Sequence, residues 1–208
     1  ILYNAIDTSI FIPKNKSFNN KFTFLITGNI RKKSNYRISC VIGALKEIIT
    51  ENPNIELIIA GFIEDKNYLF KEISDLKLED HIIFLKTYSQ KDAPKIYNQA
   101  DAYITMTYQD NCPTAVLEAM ACGLPILYSS SGGIPELVDK DSGLGIKVQE
   151  NWQKTQVPKQ SDITEGMRKI IRNKTQMSKA SRIRAVEIFD IKKWILKHEL
   201  IFEKLLKK

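Results

Sequence analysis

The segment from residue 102 to residue 129 decides the fold. It opens with Ala102-Tyr103-Ile104-Thr105 and continues through Asp110-Asn111-Cys112-Pro113-Thr114-Ala115-Val116-Leu117-Glu118-Ala119-Met120-Ala121-Cys122-Gly123-Leu124-Pro125. It closes on Ile126-Leu127-Tyr128-Ser129. The outer pieces are apolar runs of strand length. Between them, Pro113 takes a first helical position and Gly123 falls just past a helix end, the asymmetry expected of a short helix from Pro113 to Ala121. Parallel strands need a crossover connection, and a helix between two buried strands supplies one.

The same alternation extends in both directions. Strand-length runs occur at Phe22 to Thr27, Glu56 to Ala60, Ile82 to Leu85 and Gly145 to Val148. Helical periodicity fills Tyr36 to Thr50, where Ile38, Val41, Ile42, Leu45, Ile48 and Ile49 share a face, and then Asp65 to Leu76, Gln90 to Gln99 and Pro135 to Val138. The expected class is α/β: a Rossmann-like doubly wound parallel sheet of about six strands with helices on both faces. C-terminal helices follow, from Ile163 to Phe189 with a break near Asn173 and from Asp190 to Leu206. Residues 1–17, with Pro13 and no helical period, read as a hinge or linker that suggests a preceding piece of polypeptide. Residues 18–189 form the Rossmann-like domain, and 190–208 a C-terminal helix.

Composition narrows the function classes. The chain has 208 residues, a formal net charge of +7, 43% hydrophobic and 26% charged residues, values that place it among globular chains and exclude disorder. Its longest apolar runs, such as Ile55 to Phe62, fall short of the ~18 residues a membrane span needs, and no leader pattern opens it. Cys40, Cys112 and Cys122 lack CxxC spacing, and His81 and His198 lie far apart, so zinc-ligand spacing is absent. The expectation is a soluble, intracellular chain whose thiols are structural or free. The basic surplus suits nucleic acid, acidic lipid or a phosphorylated small molecule. A nucleic-acid reader is disfavoured because no reader motif interleaves the basic residues with aromatics.

Chemistry in such a sheet gathers outside the carboxyl ends of the strands. One candidate is the loop Gly28-Asn29-Ile30-Arg31-Lys32-Lys33-Ser34, where a Gly allows close backbone approach and three basic residues could meet a diphosphate; the alternative is a solvated charge run. The other is the helix bearing Glu118. Its neighbours at three and four residues are Thr114, Ala115, Ala121 and Cys122, so no Lys or Arg of that helix neutralises it. A buried carboxylate needs hydrogen-bond donors, supplied by ligand hydroxyls or by a neighbouring loop or distant Arg. Asp110 precedes the helix, where an acid is often an N-cap. Ser129-Ser130-Ser131-Gly132-Gly133-Ile134-Pro135-Glu136 is a Gly-rich turn able to bring backbone N–H groups and Glu136 to the same rim. All three loops are expected to converge on one crevice.

The segment from Asp110 to Glu136 resembles the C-terminal, donor-binding domain of GT-B-fold retaining glycosyltransferases of family four, the glycosyl transferases group 1. The resemblance rests on an acid, seven residues and a Glu, then a small-residue helix, Gly-x-Pro and Gly-Gly-x-x-Glu, here Asp110, Glu118, Gly123-Leu124-Pro125 and Gly132-Gly133-Ile134-Pro135-Glu136. Tyr3 to Pro13 resembles the interdomain hinge. Ile83-Phe84-Leu85 and Tyr97-Asn98-Gln99-Ala100-Asp101-Ala102 resemble the strand and helix before the motif.

The resemblance implies a metal-independent site, without cofactor, for a nucleotide-diphosphate sugar of UDP or GDP type. Glu118 would contact the ribose hydroxyls and Asp110 the donor sugar. The helix start at Pro113, Thr114 and Ala115 would lie by the phosphates or the sugar, and Thr87 and Tyr88 by the base. The implied activity is transfer of a hexose-type sugar to a glycan or lipid-linked acceptor in surface polysaccharide or lipopolysaccharide synthesis, in the cytoplasm with peripheral contact at the inner face of the membrane. The basic helix from Ile191 onward is where that contact would fall, although packing across the domain is the competing expectation. Three departures stand out. Asp110 replaces the usual Glu. Gly28-Asn29 and Ser34 replace the usual Gly-Arg and Lys, leaving Lys33, then Arg31, as substitutes. The N-terminal Rossmann domain is missing from these residues, so the chain is expected to bind nucleotide and turn over poorly. The alternative is a noncatalytic domain that docks on a separate N-terminal subunit.

Overall fold

The computed structural model describes residues 2–14, 21–30, 37–64, 66–149, 151 and 153–207. Strands β1 (Phe22–Thr27), β2 (Ile55–Ala60), β3 (Ile82–Leu85), β4 (Ala102–Thr105), β5 (Ile126–Ser130) and β6 (Gly143–Lys147) form one six-stranded sheet in the order β3-β2-β1-β4-β5-β6. Every neighbouring pair is parallel. The intervening helices are α1 (Ile38–Ile49), α2 (Lys66–Asp75), α3 (Ala93–Tyr97), α4 (Thr114–Ala121) and α5 (Ile134–Leu137), followed by α6 (Gln160–Ile188) and α7 (Ile191–Leu206).

Side-chain alternation along the strands sorts the core into two layers. Phe24 and Ile26 of β1, with Leu57 and Ile59 of β2, meet Val41, Ile42 and Leu45 of α1, Leu69 and Ile73 of α2, and Ile163, Met167 and Ile170 of α6. Leu25, Ile58 and Tyr103 face the other way, onto Tyr97 of α3, Val116, Leu117 and Met120 of α4, and Ile134 and Leu137 of α5. Both faces are therefore covered, as an all-parallel sheet requires. The chain builds outward from β1 to β3, then returns to place β4 on the other side of β1. This reversal puts the topological switch point between β1 and β4.

Two expectations are corrected. No break interrupts α6 near Asn173. The Asn173 side-chain amide donates to the Lys169 carbonyl at 2.9 Å, satisfying itself on the helix surface while the buried stripe Ile163, Met167, Ile170, Met177, Ser181 and Ala185 holds the helix together. Pro113 is the N-cap, in extended conformation, rather than the first helical residue.

The segment at residues 2–14 packs on the domain. Ile6 is buried and pairs in a parallel bridge with Asp190, its N–H donating to the Phe189 carbonyl at 2.8 Å and its carbonyl accepting from Ile191 N–H at 3.0 Å. Phe11 is buried, and Arg182 of α6 donates to the carbonyls of Thr8 and Phe11. Asp190 caps α7 by accepting from Lys192 N–H, and it also accepts from the Thr8 hydroxyl. No residue of α7 is buried. Among the described residues, no helix is long and apolar enough to cross a membrane.

Candidate functional site

The switch point is lined by the exits of β1 and β4. After β1, Gly28 donates to the Ala60 carbonyl at 3.0 Å, and its carbonyl lies 2.2 Å from where a Cβ on Gly61 would stand. The close approach here is one that Gly61 allows, to the backbone of Gly28. Asn29 follows and is exposed; Arg31 and Lys33, with Lys32 and Ser34, lie outside the described residues.

Arg37, the N-cap of α1, takes a left-handed conformation with φ 48°. Its buried guanidinium donates to the carbonyls of Met106, Thr107 and Gln156 and lies over the Tyr108 ring, 5.2 Å from its centroid. Among the described residues its partners include no carboxylate. Burial pulls its pKa down to about 10, against opposing effects of Cys40 and Tyr108. This clamp ties the start of α1 to the loop leaving β4 and to the segment before α6.

That loop carries the first acid. Gln109 adopts φ 56°, costly for a residue with a Cβ, and its side-chain Nε2 is buried without a hydrogen-bond partner among the described residues. Asp110 is half-buried, and burial pushes its carboxyl above the ordinary aspartate value, partly offset by the Cys112 backbone N–H. Gly132 and Gly133 press against this loop. Gly132 has φ 66°, and a Cβ there would stand 2.5 Å from the Asp110 carbonyl oxygen. The Gly133 N–H donates to that carbonyl at 2.8 Å. The expectation that this turn offers its N–H groups to a ligand is corrected at Gly133, whose N–H braces the acid loop instead.

The second acid sits on α4. Glu118 is 7% exposed, and among the described residues two donors meet it: the Gln90 amide at 2.6 Å from Oε1 and the Tyr97 hydroxyl at 2.7 Å from Oε2. No arginine is among these partners. Tyr97 is wholly buried; burial first, then Tyr103, Glu118 and Tyr88, push its phenol well above its ordinary value, so it stays a donor. Behind it, Thr27 Oγ1 lies 3.3 Å from the Tyr97 hydroxyl and 3.0 Å from that of Tyr103. A chain of hydroxyl groups therefore joins the end of β1 to Glu118. Gln90 stands in the turn after β3. In the same loop Thr87 is exposed, and Tyr88 is half-buried against the core.

The N-terminal segment closes one side. The Asn4 side-chain amide donates to the Cys112 carbonyl at 2.9 Å, and the Tyr3 hydroxyl donates to Glu136 Oε2 at 3.3 Å. Glu136 therefore reaches the N-terminal segment, within one turn of the Gly132-Gly133 brace.

The structure brings the Asp110 loop, the glycine turn and Glu136 together, and joins Glu118 to the Gln90 turn and, through hydroxyls, to β1. Pro113, Thr114 and Ala115 form the exposed and half-buried start of α4 between the two acids. Gln90, Arg37, Tyr3 and Asn4 were absent from the expected site. Tyr97 had a sequence signal, a polar-tipped aromatic in a short apolar helix, since such a hydroxyl needs a partner when buried.

A doubly wound parallel sheet with acids on the loop and helix after its fourth strand places the chain among α/β domains whose chemistry lies at the strand ends. Residues 7–184 match the family described as Glycosyl transferases group 1, and the chain belongs to it. It is similar to spore coat protein SA of Bacillus subtilis (31% identity over 124 residues, covering 56% of this chain and 32% of that protein). It is also similar to N-acetyl-alpha-D-glucosaminyl L-malate synthase of Bacillus anthracis (26% identity over 145 residues, covering 66% and 37%). The chain thus spans about a third of the length of these curated relatives. Among solved structures, sucrose-phosphate synthase from Thermosynechococcus elongatus superposes with TM-score 0.79 at 16% identity, over 98% of this chain and 52% of that one. The pneumococcal O-GlcNAc transferase, in complex with UDP and GlcNAc, gives 0.76 at 18% identity, over 100% and 39%. At such identities these likenesses establish the shared Rossmann-like, GT-B-type fold.

Proposed function

We propose that this chain is the donor-binding half of a retaining glycosyltransferase, taking a nucleotide-diphosphate sugar of UDP or GDP type. The observation that carries the reading is Glu118, a buried carboxylate without a cationic partner among the described residues, held near the switch point of a chain in the group 1 family. Solved neighbours in complex with UDP and a sugar support it.

In this reading Glu118 accepts from the ribose hydroxyls, and Asp110 approaches the donor sugar. The N–H groups of Thr114 and Ala115 face the phosphates with the positive end of α4, Gly28 and Asn29 border them, and Thr87 and Tyr88 border the base. Arg31, Lys32 and Lys33 supply positive charge to the diphosphate, and no divalent metal takes part. A hexose-type sugar then passes to a glycan or lipid-linked acceptor, in surface polysaccharide synthesis at the cytoplasmic side of a membrane, with the lysine-rich α7 as the peripheral contact. Catalysis depends on holding donor and acceptor in reactive geometry, so turnover requires the N-terminal half.

Calorimetric titration with UDP, GDP and ADP tests the reading. The expected result is binding by one of them with a Kd between about 1 μM and 1 mM. Glu118→Ala is expected to weaken it by about tenfold or more, as loss of a charged hydrogen-bond acceptor does. Absence of heat with all three nucleotides would remove the reading.

A further inference from the structure

The two donors on Glu118 differ in what they would lose by leaving. Tyr97 is wholly buried, its ring tilted against Tyr103 and edge-on to Phe11, its hydroxyl backed by Thr27. Withdrawn from Oε2, that hydroxyl would lose its charged partner without gaining water. Gln90 is an exposed turn residue whose side chain reaches inward to Oε1. Withdrawn, its amide is met by solvent.

The carrier of Gln90 also permits the movement. Its turn is closed by its own bonds: the Ser89 hydroxyl donates to Asp92 Oδ2 at 2.7 Å, and Asp92 N–H donates to the Ser89 carbonyl at 2.9 Å. Among the described residues, the bond to Glu118 is the one hydrogen bond that ties the Gln90 side chain to the domain body. A change of rotamer breaks that bond and leaves the turn standing.

We propose that Gln90 is a built-in stand-in for a ligand hydroxyl. In the free protein its amide occupies Oε1 of Glu118; a bound nucleoside diphosphate takes that place with a ribose hydroxyl and displaces the amide. Tyr97 keeps Oε2 in both states and is a positioning residue. The inference rests on the reading of Glu118 as the carboxylate that meets the ribose. It adds that one of its two protein donors competes with the ligand while the other helps it.

The two donors therefore have opposite effects when removed. Gln90→Ala is expected to tighten UDP binding about fivefold, the exposed competing bond being worth roughly 1 kcal/mol. Tyr97→Phe is expected to weaken it about tenfold and to erase the preference for UDP over 2′-deoxyuridine diphosphate, which Gln90→Ala retains. Two bonds serving only to hold the fold would both weaken binding and leave that preference unchanged. A direct readout is the Gln90 side-chain amide resonance, assigned by its loss in Gln90→Ala; saturation with UDP should move it to a solvent-exposed position. Wild-type binding with weaker binding by Gln90→Ala, or an amide signal that UDP leaves unmoved, overturns the inference and leaves the donor-site reading intact. If neither wild type nor Gln90→Ala gives heat with UDP, GDP or ADP, both fall together.

Discussion

A methyl group on Gly133 would stand 1.8 Å from the carbonyl oxygen of Asn111, and the Gly133 N–H already donates to the Asp110 carbonyl at 2.8 Å. The glycine turn and the acid loop are thus packed backbone on backbone, with no side chain able to yield. Gly133→Ala is expected to cost about 3 kcal/mol or more by displacing the acid loop. Gly43→Ala is the control: its nearest neighbour is the end of the flexible Gln160 side chain, and its place in α1 favours Ala, so the change should stay within about 1 kcal/mol. Urea denaturation of both variants measures the contrast.

Gln109 combines a left-handed backbone with a buried amide nitrogen that has no partner among the described residues. Gln109→Gly relieves about 1–2 kcal/mol of backbone strain and an orphan donor costing about 1–3 kcal/mol, against roughly 0.5–1 kcal/mol for the extra freedom of Gly in the unfolded chain. A net gain near 2 kcal/mol is expected in thermal or chemical denaturation. A loss of stability would mean that the amide has a partner after all.

Asp110 provides a pH test. Burial raises its carboxyl above the unfolded value, so folding favours the protonated form. Its contribution to stability is fullest below the unfolded value near ~3.9 and declines as pH rises through the higher folded value. Asp110→Asn, which stays neutral, should therefore be more stable than wild type at pH 7, and the difference should shrink toward pH 4. Melting temperatures of the two proteins across that range check the direction; a gap that widens on acidification would contradict it.

Truncation after His198 removes residues of which all the described ones, 199–207, are exposed. The half-buried Trp194, whose Nε1 donates to the Tyr3 carbonyl at 2.9 Å, is retained. The shortened chain should melt within about 2 °C of the parent, because a change of a few tenths of a kcal/mol moves the midpoint of a domain this size by no more than that. Differential scanning calorimetry measures it.

How far the sequence could be read depended on how local each determinant is. β1, β3 and β4 begin and end where the apolar runs do, because strands of a parallel sheet covered by helices are largely apolar stretches bounded by turn residues. The expected break at Asn173 came from a local propensity that the long buried stripe of α6 overrides. Glu118 was legible as a carboxylate in need of donors, but Gln90 and Tyr97 lie 28 and 21 residues away on other elements, and only the packing of α3 against α4 brings them to it. Arg37 was not singled out in the sequence; its clamp on Met106, Thr107 and Gln156 depends on the switch that puts β4 beside β1. Gly132 and Gly133 were legible as a turn, while the backbone they press against was not.

The parallel bridge between Ile6 and Asp190 has a mechanical consequence. Tension that drags residue 2 backward along its strand and residue 191 forward along the other loads both bridging hydrogen bonds at once, in shear, rather than peeling them one after another.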